Sequence, residues 1–307
     1  MKKLTMYLIV SALLLVVATP ALALEKVRFG VPPWPGVEVK TEVVHQILDA
    51  LGYPMQKLEI GPPIIYKGLV SDEVDAFLGG WIPQQNPMLD PLLEKKAVEV
   101  AQTNLDTARI SLCVPRYVSE AGVKTFADLN KHADQFKHTV YNIEAGSGMN
   151  TNMGEIIANN VAGLGDWKQT GATVAAMLTQ VKSMMKDHEW VVFGCWKPHW
   201  MNVTLDMVYL DGVPGTEKFA SDSKVYTVVS VDLKDRHPQV YRFLKNMKVD
   251  AKTQSQWIMD YANRKIPADK VAADWIATHN DTIATWLDGV QAADGTDAME
   301  KIKEKQK

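Results

Sequence analysis

Trp34, Trp81 and Trp196 each follow a short apolar run that is broken by glycine or proline. Such runs are typical of buried strands, and open α/β sheets bind their ligands at the carboxyl ends of strands. The face of an indole ring carries a negative quadrupole, so several indoles around one point can hold a cation without a formal counter-charge. Quaternary ammonium groups are the usual ligands of such cages. We therefore predict that these three tryptophans form a cation-binding cage.

A glycine-rich turn, Ile-Glu-Ala-Gly-Ser-Gly-Met-Asn, occupies residues 143–150 and precedes a predicted helix. The start of a helix after such a turn offers free backbone N–H groups to an anion or a hydroxyl. We expect the N–H groups of Ser147 and Gly148 to face a polar part of the ligand. Arg109, on a neighbouring predicted strand, is a candidate partner for a carboxylate. An ordinary turn and an exposed charge are the alternative interpretations.

The residues give little support to catalysis. The sequence contains no GxSxG, HExxH, CxxC or P-loop motif. His199, the histidine nearest to the cysteines, has no second histidine at metal-ligand spacing. We therefore expect a binding protein without a metal or cofactor, and not an enzyme.

Composition excludes several other classes of protein. The 307 residues are 47% hydrophobic and 22% charged, with a formal net charge of −3, which is an ordinary globular composition. A mildly acidic chain is a poor partner for nucleic acid and for anionic membrane surfaces. We expect neither.

Residues 1–23 have the pattern of a cleaved signal peptide. Lys2 and Lys3 precede an apolar run over residues 7–17, and Ala21-Leu-Ala23 is a typical cleavage site. No cysteine follows the cut, so a lipid anchor is not indicated; an uncleaved N-terminal anchor is the alternative. We expect export, most simply to a bacterial periplasm.

Cys113 and Cys195 are the two cysteines of the chain, and both lie in apolar, strand-like runs. Two buried thiols are the favoured interpretation. A disulfide remains the alternative, since the predicted compartment is oxidising.

Strands and helices alternate along the chain, which predicts an α/β fold. The first helix is predicted over 41–51 and ends before Gly52. A mature chain of about 284 residues is long enough for two lobes. We expect one lobe from residues 24–110 and 225–307 and the other from 111–224. Strands over 109–114 and 225–230 would cross between the lobes as a two-strand hinge.

Several stretches resemble one family. They are Gly-Val-Pro-Pro-Trp34, Gly-Gly-Trp81, Ser-Leu-Cys-Val-Pro115, Ile-Glu-Ala-Gly146 and, most specifically, Trp-Lys-Pro-His-Trp-Met-Asn202. With these residues the chain is similar to the periplasmic substrate-binding proteins of ABC importers for choline and glycine betaine. The resemblance implies two α/β lobes of type II topology that close over the ligand. It also implies that Trp34, Trp81 and Trp196 surround a trimethylammonium group.

The chain departs from the choline-binding members at the other end of the expected site. Those members have a fourth cage aromatic where this chain has Ile110, an Asp where it has Gly36, and an Asn where it has Ser147. We expect Trp200, where the family often has a smaller residue, to replace the lost aromatic ring. Loss of an acidic group removes repulsion against a carboxylate, so the departures favour a zwitterion such as glycine betaine over choline.

The sequence therefore predicts a monomeric, periplasmic binding protein that delivers a quaternary ammonium osmolyte to an ABC permease in the inner membrane. Choline, carnitine and trimethylamine oxide are alternative ligands. A binding lobe that signals to a membrane sensor, and an exported enzyme acting on methylated amines, are alternatives from other classes.

Overall fold

The computed structural model describes residues 24–306, so the predicted signal peptide lies outside the described residues. Strands and helices alternate through the first two thirds of this range, and helices follow to its end. The strands are β1 (Val27–Gly30), β2 (Met55–Leu58), β3 (Ala76–Ile82), β4 (Val98–Pro115), β5 (Thr139–Tyr141), β6 (Lys168–Gln169), β7 (Val192–Lys197), β8 (Met207–Tyr209) and β9 (Ser221–Ser230).

Between residues 24 and 306 no helix is both long enough and apolar enough to cross a membrane. The helices are α1 (Pro35–Ala50), α2 (Pro62–Val70), α3 (Asn86–Glu94), α4 (Arg116–Glu120), α5 (Phe126–Leu129), α6 (Gly148–Ala158), α7 (Val174–Lys186), α8 (Met201–Thr204), α9 (Leu233–Arg236), α10 (Pro238–Asn246), α11 (Ala251–Ile258), α12 (Ala268–Thr278), α13 (Asn280–Trp286) and α14 (Ala298–Lys305).

Two long strands hold the sheet together. The strand order is β2-β1-β3-β9-β4-β7-β5-β6, and β8 pairs with β4. β4 spans 18 residues; its first part pairs with β9, and residues 109–113 pair with β7. β9 runs antiparallel to both β3 and β4. The predicted α/β fold with two lobes of type II topology and a two-strand hinge is thereby confirmed.

The apolar side chains form two large cores, one in each lobe. One core combines residues between 27 and 98 with residues between 228 and 302. The other combines residues between 110 and 219 with Ile258 from α11. Leu105, Ala108 and Val225 form a small third cluster on the crossing strands. The exact lobe boundaries stay a prediction, because β4 and β9 run through them without a break.

The strands that carry two of the candidate tryptophans are longer than their sequence suggests. Trp81 and Trp196 lie inside β3 and β7, one residue before each strand ends. Both strands continue past their glycines because a neighbouring strand pairs with them: Trp81 is opposite Val225, and Trp196 is opposite Ile110. Trp196 is therefore a residue of β7 itself, and not of a loop that follows the strand.

The first helix also begins earlier than predicted, at Pro35 rather than at residue 41. Proline is well suited to the first helical position, because its missing N–H has no partner there in any case. Trp34 is the N-cap residue in an extended conformation. The indole is therefore held directly at the start of α1.

Cys113 and Cys195 form a disulfide, which corrects the favoured interpretation of two free thiols. They lie on the neighbouring strands β4 and β7, with their Cα atoms 5.7 Å apart, and both are fully buried. Each cysteine alone looks like a small core residue. Only the pairing of the two strands brings the sulfurs together.

We predict that the double variant Cys113→Ala/Cys195→Ala lowers the free energy of unfolding by about 2–4 kcal/mol, since the bridge closes a long loop in the unfolded chain. Urea unfolding of both proteins measures the difference. Thiol titration of the wild-type chain in denaturant without reductant is the control. Two reactive thiols in that titration would contradict the bridge.

Candidate functional site

A cavity between the two lobes brings Trp34, Trp81 and Trp196 together. The three residues come from the start of α1, the end of β3 and the end of β7. The first two belong to one lobe and the third to the other. Trp34 and Trp81 are partly exposed, whereas Trp196 is 9% exposed. The three indoles that line the cavity thus come from both lobes.

The rest of the lining is mostly apolar. Ile110, Ile143, Met149, Val225 and Ile258 contribute aliphatic side chains. No Asp or Glu of residues 24–306 lines the cavity, and its polar side chains are Lys40, Gln84, Gln85, Ser147 and Gln254. The cavity can therefore surround an apolar group or a cation with indole faces, without a carboxylate as counter-ion.

Trp34 is tied to the opposite lobe by its indole nitrogen. Nε1 of Trp34 donates a hydrogen bond of 2.5 Å to Oε1 of Glu144, which lies in the glycine-rich turn before α6. Oε2 of Glu144 is buried and has no protein partner. This bond fixes the plane of the Trp34 ring and closes one side of the cleft.

His199 packs against Trp196 without lining the cavity itself. The two rings meet edge to face with their centres 4.9 Å apart. His199 is 2% exposed, and burial lowers the pKa of its imidazole to about 3, so the ring is neutral at physiological pH. A neutral ring adds no positive charge behind the indole face that would receive a cation.

The amino end of α6 touches the other lobe at Gln84, in the turn between β3 and α3. Nδ2 of Asn152 donates to the backbone oxygen of Gln84 at 3.1 Å. A Cβ on Gly148 would lie only 2.5 Å from that same oxygen. Glycine is therefore required at position 148 for the lobes to approach this closely.

Ser147 lines the cavity, but its hydroxyl is already engaged. It caps α6 by accepting from the N–H of Asn150 at 3.1 Å, and it donates to the backbone oxygen of Glu144 at 2.9 Å. Among the described residues the backbone N–H of Gly148 has no hydrogen-bond partner. Gly148 is therefore the better candidate of the two for contact with a ligand.

Two predicted site residues lie elsewhere. Arg109 stacks over the Tyr209 ring at 5.6 Å and approaches Asp211, whereas its neighbour Ile110 lines the cavity. Successive side chains of a strand point to opposite faces, so the two cannot both face the cavity. Trp200 lines an outer groove with Lys182 over its ring and does not reach the cavity. We leave both out of the site.

The sequence interpretation missed Lys40 and Gln254, which are both buried and both line the cavity. Gln254 lies on α11, about 220 residues after Gly36 in the chain, yet its Nε2 occupies the place where a Cβ of Gly36 would be. Lys40 lies one turn after Gly36 on α1. Lys40 could have been found from the sequence, because it is a lysine among the apolar residues of one helix face. No feature of the sequence around Gln254 marks it as a residue of the site.

Comparison with known proteins places these features in a family. A family model described as the substrate-binding domain of an ABC-type glycine betaine transport system matches residues 25–278. The glycine betaine/carnitine transport binding protein GbuC of Listeria monocytogenes is 28% identical over 162 residues. That match spans 53% of this chain and 53% of the curated relative.

Two solved structures are similar over nearly the whole chain. An ABC-transporter choline-binding protein in complex with choline has a TM-score of 0.88 and 28% identity, covering 92% of this chain and 98% of the other. A choline-binding protein in an unliganded semi-closed conformation has a TM-score of 0.83 with the same identity and coverage. The described conformation is therefore more similar to the liganded structure.

We predict that Gly148→Ala holds the lobes apart, because its Cβ would collide with the backbone of Gln84. Small-angle X-ray scattering should give a larger radius of gyration than for the wild type. Each lobe should fold as before, with a melting temperature within about 2 °C of the wild type.

Gly154→Ala, on the same helix, is the matched control, since its Cβ would meet only the side-chain end of Gln169 in its own lobe. Identical scattering from the two variants and the wild type would contradict the role of Gly148.

Proposed function

The chain belongs to the family of substrate-binding domains of ABC-type glycine betaine transport systems, and from this premise we propose that it captures a quaternary ammonium osmolyte between Trp34, Trp81 and Trp196. Glycine betaine is the ligand we favour. Members of this family are transport substrate-binding proteins and not enzymes. The proposed event is therefore reversible capture without covalent chemistry.

The observation that carries the proposal is the convergence of three indoles on one cavity that no Asp or Glu of residues 24–306 lines. A trimethylammonium group has no N–H to donate and cannot lose its charge. Indole faces attract it by about 2 kcal/mol or more per desolvated contact, and they match its apolar surface. An ordinary ammonium is usually bound by a carboxylate, so three indoles without a described acidic lining residue favour the quaternary ion.

The polar side of the cavity favours glycine betaine over choline. Position 36 has no side chain, and its space is filled by the neutral amide of Gln254. The free N–H of Gly148 lies at the start of α6, where the partial positive charge of the helix end favours an anion. This arrangement stabilises a bound carboxylate, and it stabilises the uncharged hydroxyl of choline less.

Transport is the role that the family assignment supports. We place the mature chain in the periplasm, as a monomer that delivers its ligand to an ABC permease in the inner membrane. A sensor-coupled binding lobe is the competing role in the same compartment. Ligand uptake by cells that lack this protein separates the two roles, since a sensor subunit would leave uptake intact.

The first test is a titration of the mature, ligand-free protein, followed by tryptophan fluorescence. We expect saturable shifts with glycine betaine and weaker ones with choline, because three indoles line the cavity. Carnitine and trimethylamine oxide complete the comparison. No response to any of the four, from a protein shown to be folded, would overturn the proposal.

A second prediction concerns the cage itself. Trp81→Leu keeps an apolar side chain but removes one ring quadrupole, so affinity for every trimethylammonium ligand should fall by roughly 30-fold. Isothermal titration calorimetry measures this loss of affinity. Trp190→Leu is the matched control and should change affinity by less than about threefold, since Trp190 packs on His132 and Phe136 and does not line the cavity. Equal losses in the two variants would contradict the assigned cage.

A further inference from the structure

A lysine is buried at the inner wall of the cavity. Lys40 lies on α1 with 1% of its surface exposed, and it lines the cavity together with Gly36 and Val37 of the same helix. Residues four apart share one face of a helix, and side chains lean toward its amino end. Lys40 therefore shares the cavity-facing side of α1 with Gly36, and its Nζ reaches the backbone oxygen of Leu78, which also lines the cavity.

The ammonium group of Lys40 has only neutral partners. Its Nζ donates to Oδ1 of Asn104 at 2.5 Å and more weakly to the backbone oxygen of Leu78 at 3.5 Å. No ion pair links Lys40 to any residue in the described chain. Burial lowers its pKa to about 7, and no neighbouring charge offsets that effect.

The acidic groups on the surrounding elements are engaged elsewhere. On β4, the strand that carries Asn104, Glu99 accepts a hydrogen bond from Tyr241 and Asp106 accepts one from Thr107. The carboxylates on the first two turns of α1, directly before β3, directly before α11 and in the turn before α6 also bond to other side chains. They are Glu38 with Tyr261, Glu42 with Lys57, Asp75 with Arg28 and Arg236, Asp250 with Thr253, and Glu144 with Trp34. Lys40 consequently lacks a counter-charge while it lines the site.

The cavity also contains a polar side chain that has no hydrogen-bond partner among the described residues. Gln254 is 4% exposed and lines the same cavity. Its side-chain amide makes no hydrogen bond within the described residues, and Oε1 is fully buried. An unpartnered buried amide is costly, as is an unpaired buried charge. One ligand group with several hydrogen-bonding atoms could satisfy both residues.

We propose that Lys40, assisted by Gln254, receives the carboxylate of the ligand and so makes the cavity select zwitterionic betaines over choline. This inference rests on the proposed function, because the indoles must hold the quaternary end while Lys40 pairs with the other end. A carboxylate supplies the missing counter-charge; choline would instead bring a second cation toward the lysine.

Proton uptake follows from this pairing. A carboxylate next to Lys40 favours the charged ammonium and raises its pKa from about 7. Above pH 7 part of the free protein carries neutral Lys40, so binding of glycine betaine must take up a proton. Affinity for glycine betaine should therefore fall as the pH rises from 7 to 9, whereas affinity for choline should not fall.

The test uses isothermal titration calorimetry with glycine betaine and choline on the wild type, Lys40→Met and Lys182→Met. Methionine is unbranched and only one heavy atom shorter than lysine, and it removes the charge. We expect Lys40→Met to lower the affinity for glycine betaine by about 10- to 100-fold, the range of a charge-assisted hydrogen bond. The affinity for choline should stay the same or increase. Lys182→Met, in the outer groove, controls for the loss of one positive charge.

Wild-type titrations at pH 8 in two buffers of different ionisation enthalpy keep the inference testable if Lys40→Met folds poorly. Proton uptake with glycine betaine but not with choline supports it. Equal losses of both ligands in Lys40→Met, or no uptake with glycine betaine, would overturn it. Failure of both ligands to bind the wild type would instead reject the proposed function.

Discussion

The antiparallel pairing of β4 with β9 is the interaction on which the two lobes depend. These strands lie in the middle of the sheet, and β3 and β7, which carry Trp81 and Trp196, pair with them directly. The opposing residues Val225 and Ile110 also line the cavity. The hinge therefore forms the floor of the site, so a change in the twist of β4 and β9 would move the two indoles relative to each other.

Much of this arrangement could be predicted from local patterns. Apolar runs interrupted by glycine marked β3 and β7, and three tryptophans after such runs did converge on one cavity. What local patterns missed was the extent of each strand. Trp196 continues its strand because Ile110 of β4 pairs with it, and that pairing depends on residues more than 80 positions away. The two cysteines are also more than 80 positions apart in the sequence, so their disulfide was equally hard to predict.

The polar residues of the site were harder to predict for a different reason. The buried stripe of α1 includes Val37, Val44 and Ile47, and Lys40 occupies a position where that spacing calls for an apolar side chain. A helix assumed to begin at residue 41 excludes Lys40. Arg109 was a plausible carboxylate partner from its type, but strand alternation turns it away from the cavity. Its neighbour Ile110 takes the inner face.

The contacts that already join the lobes bear on how a ligand would drive closure. Trp34 donates to Glu144 and Asn152 donates to Gln84, so two direct hydrogen bonds join the lobes. A ligand shifts an open–closed equilibrium only by its difference in affinity for the two states. In the proposed site both ends of a betaine meet both lobes: the cation lies between Trp34, Trp81 and Trp196, and the carboxylate between Lys40 and the N–H of Gly148. Neither end is fully bound by one lobe alone, so most of the binding energy becomes available only in the closed state.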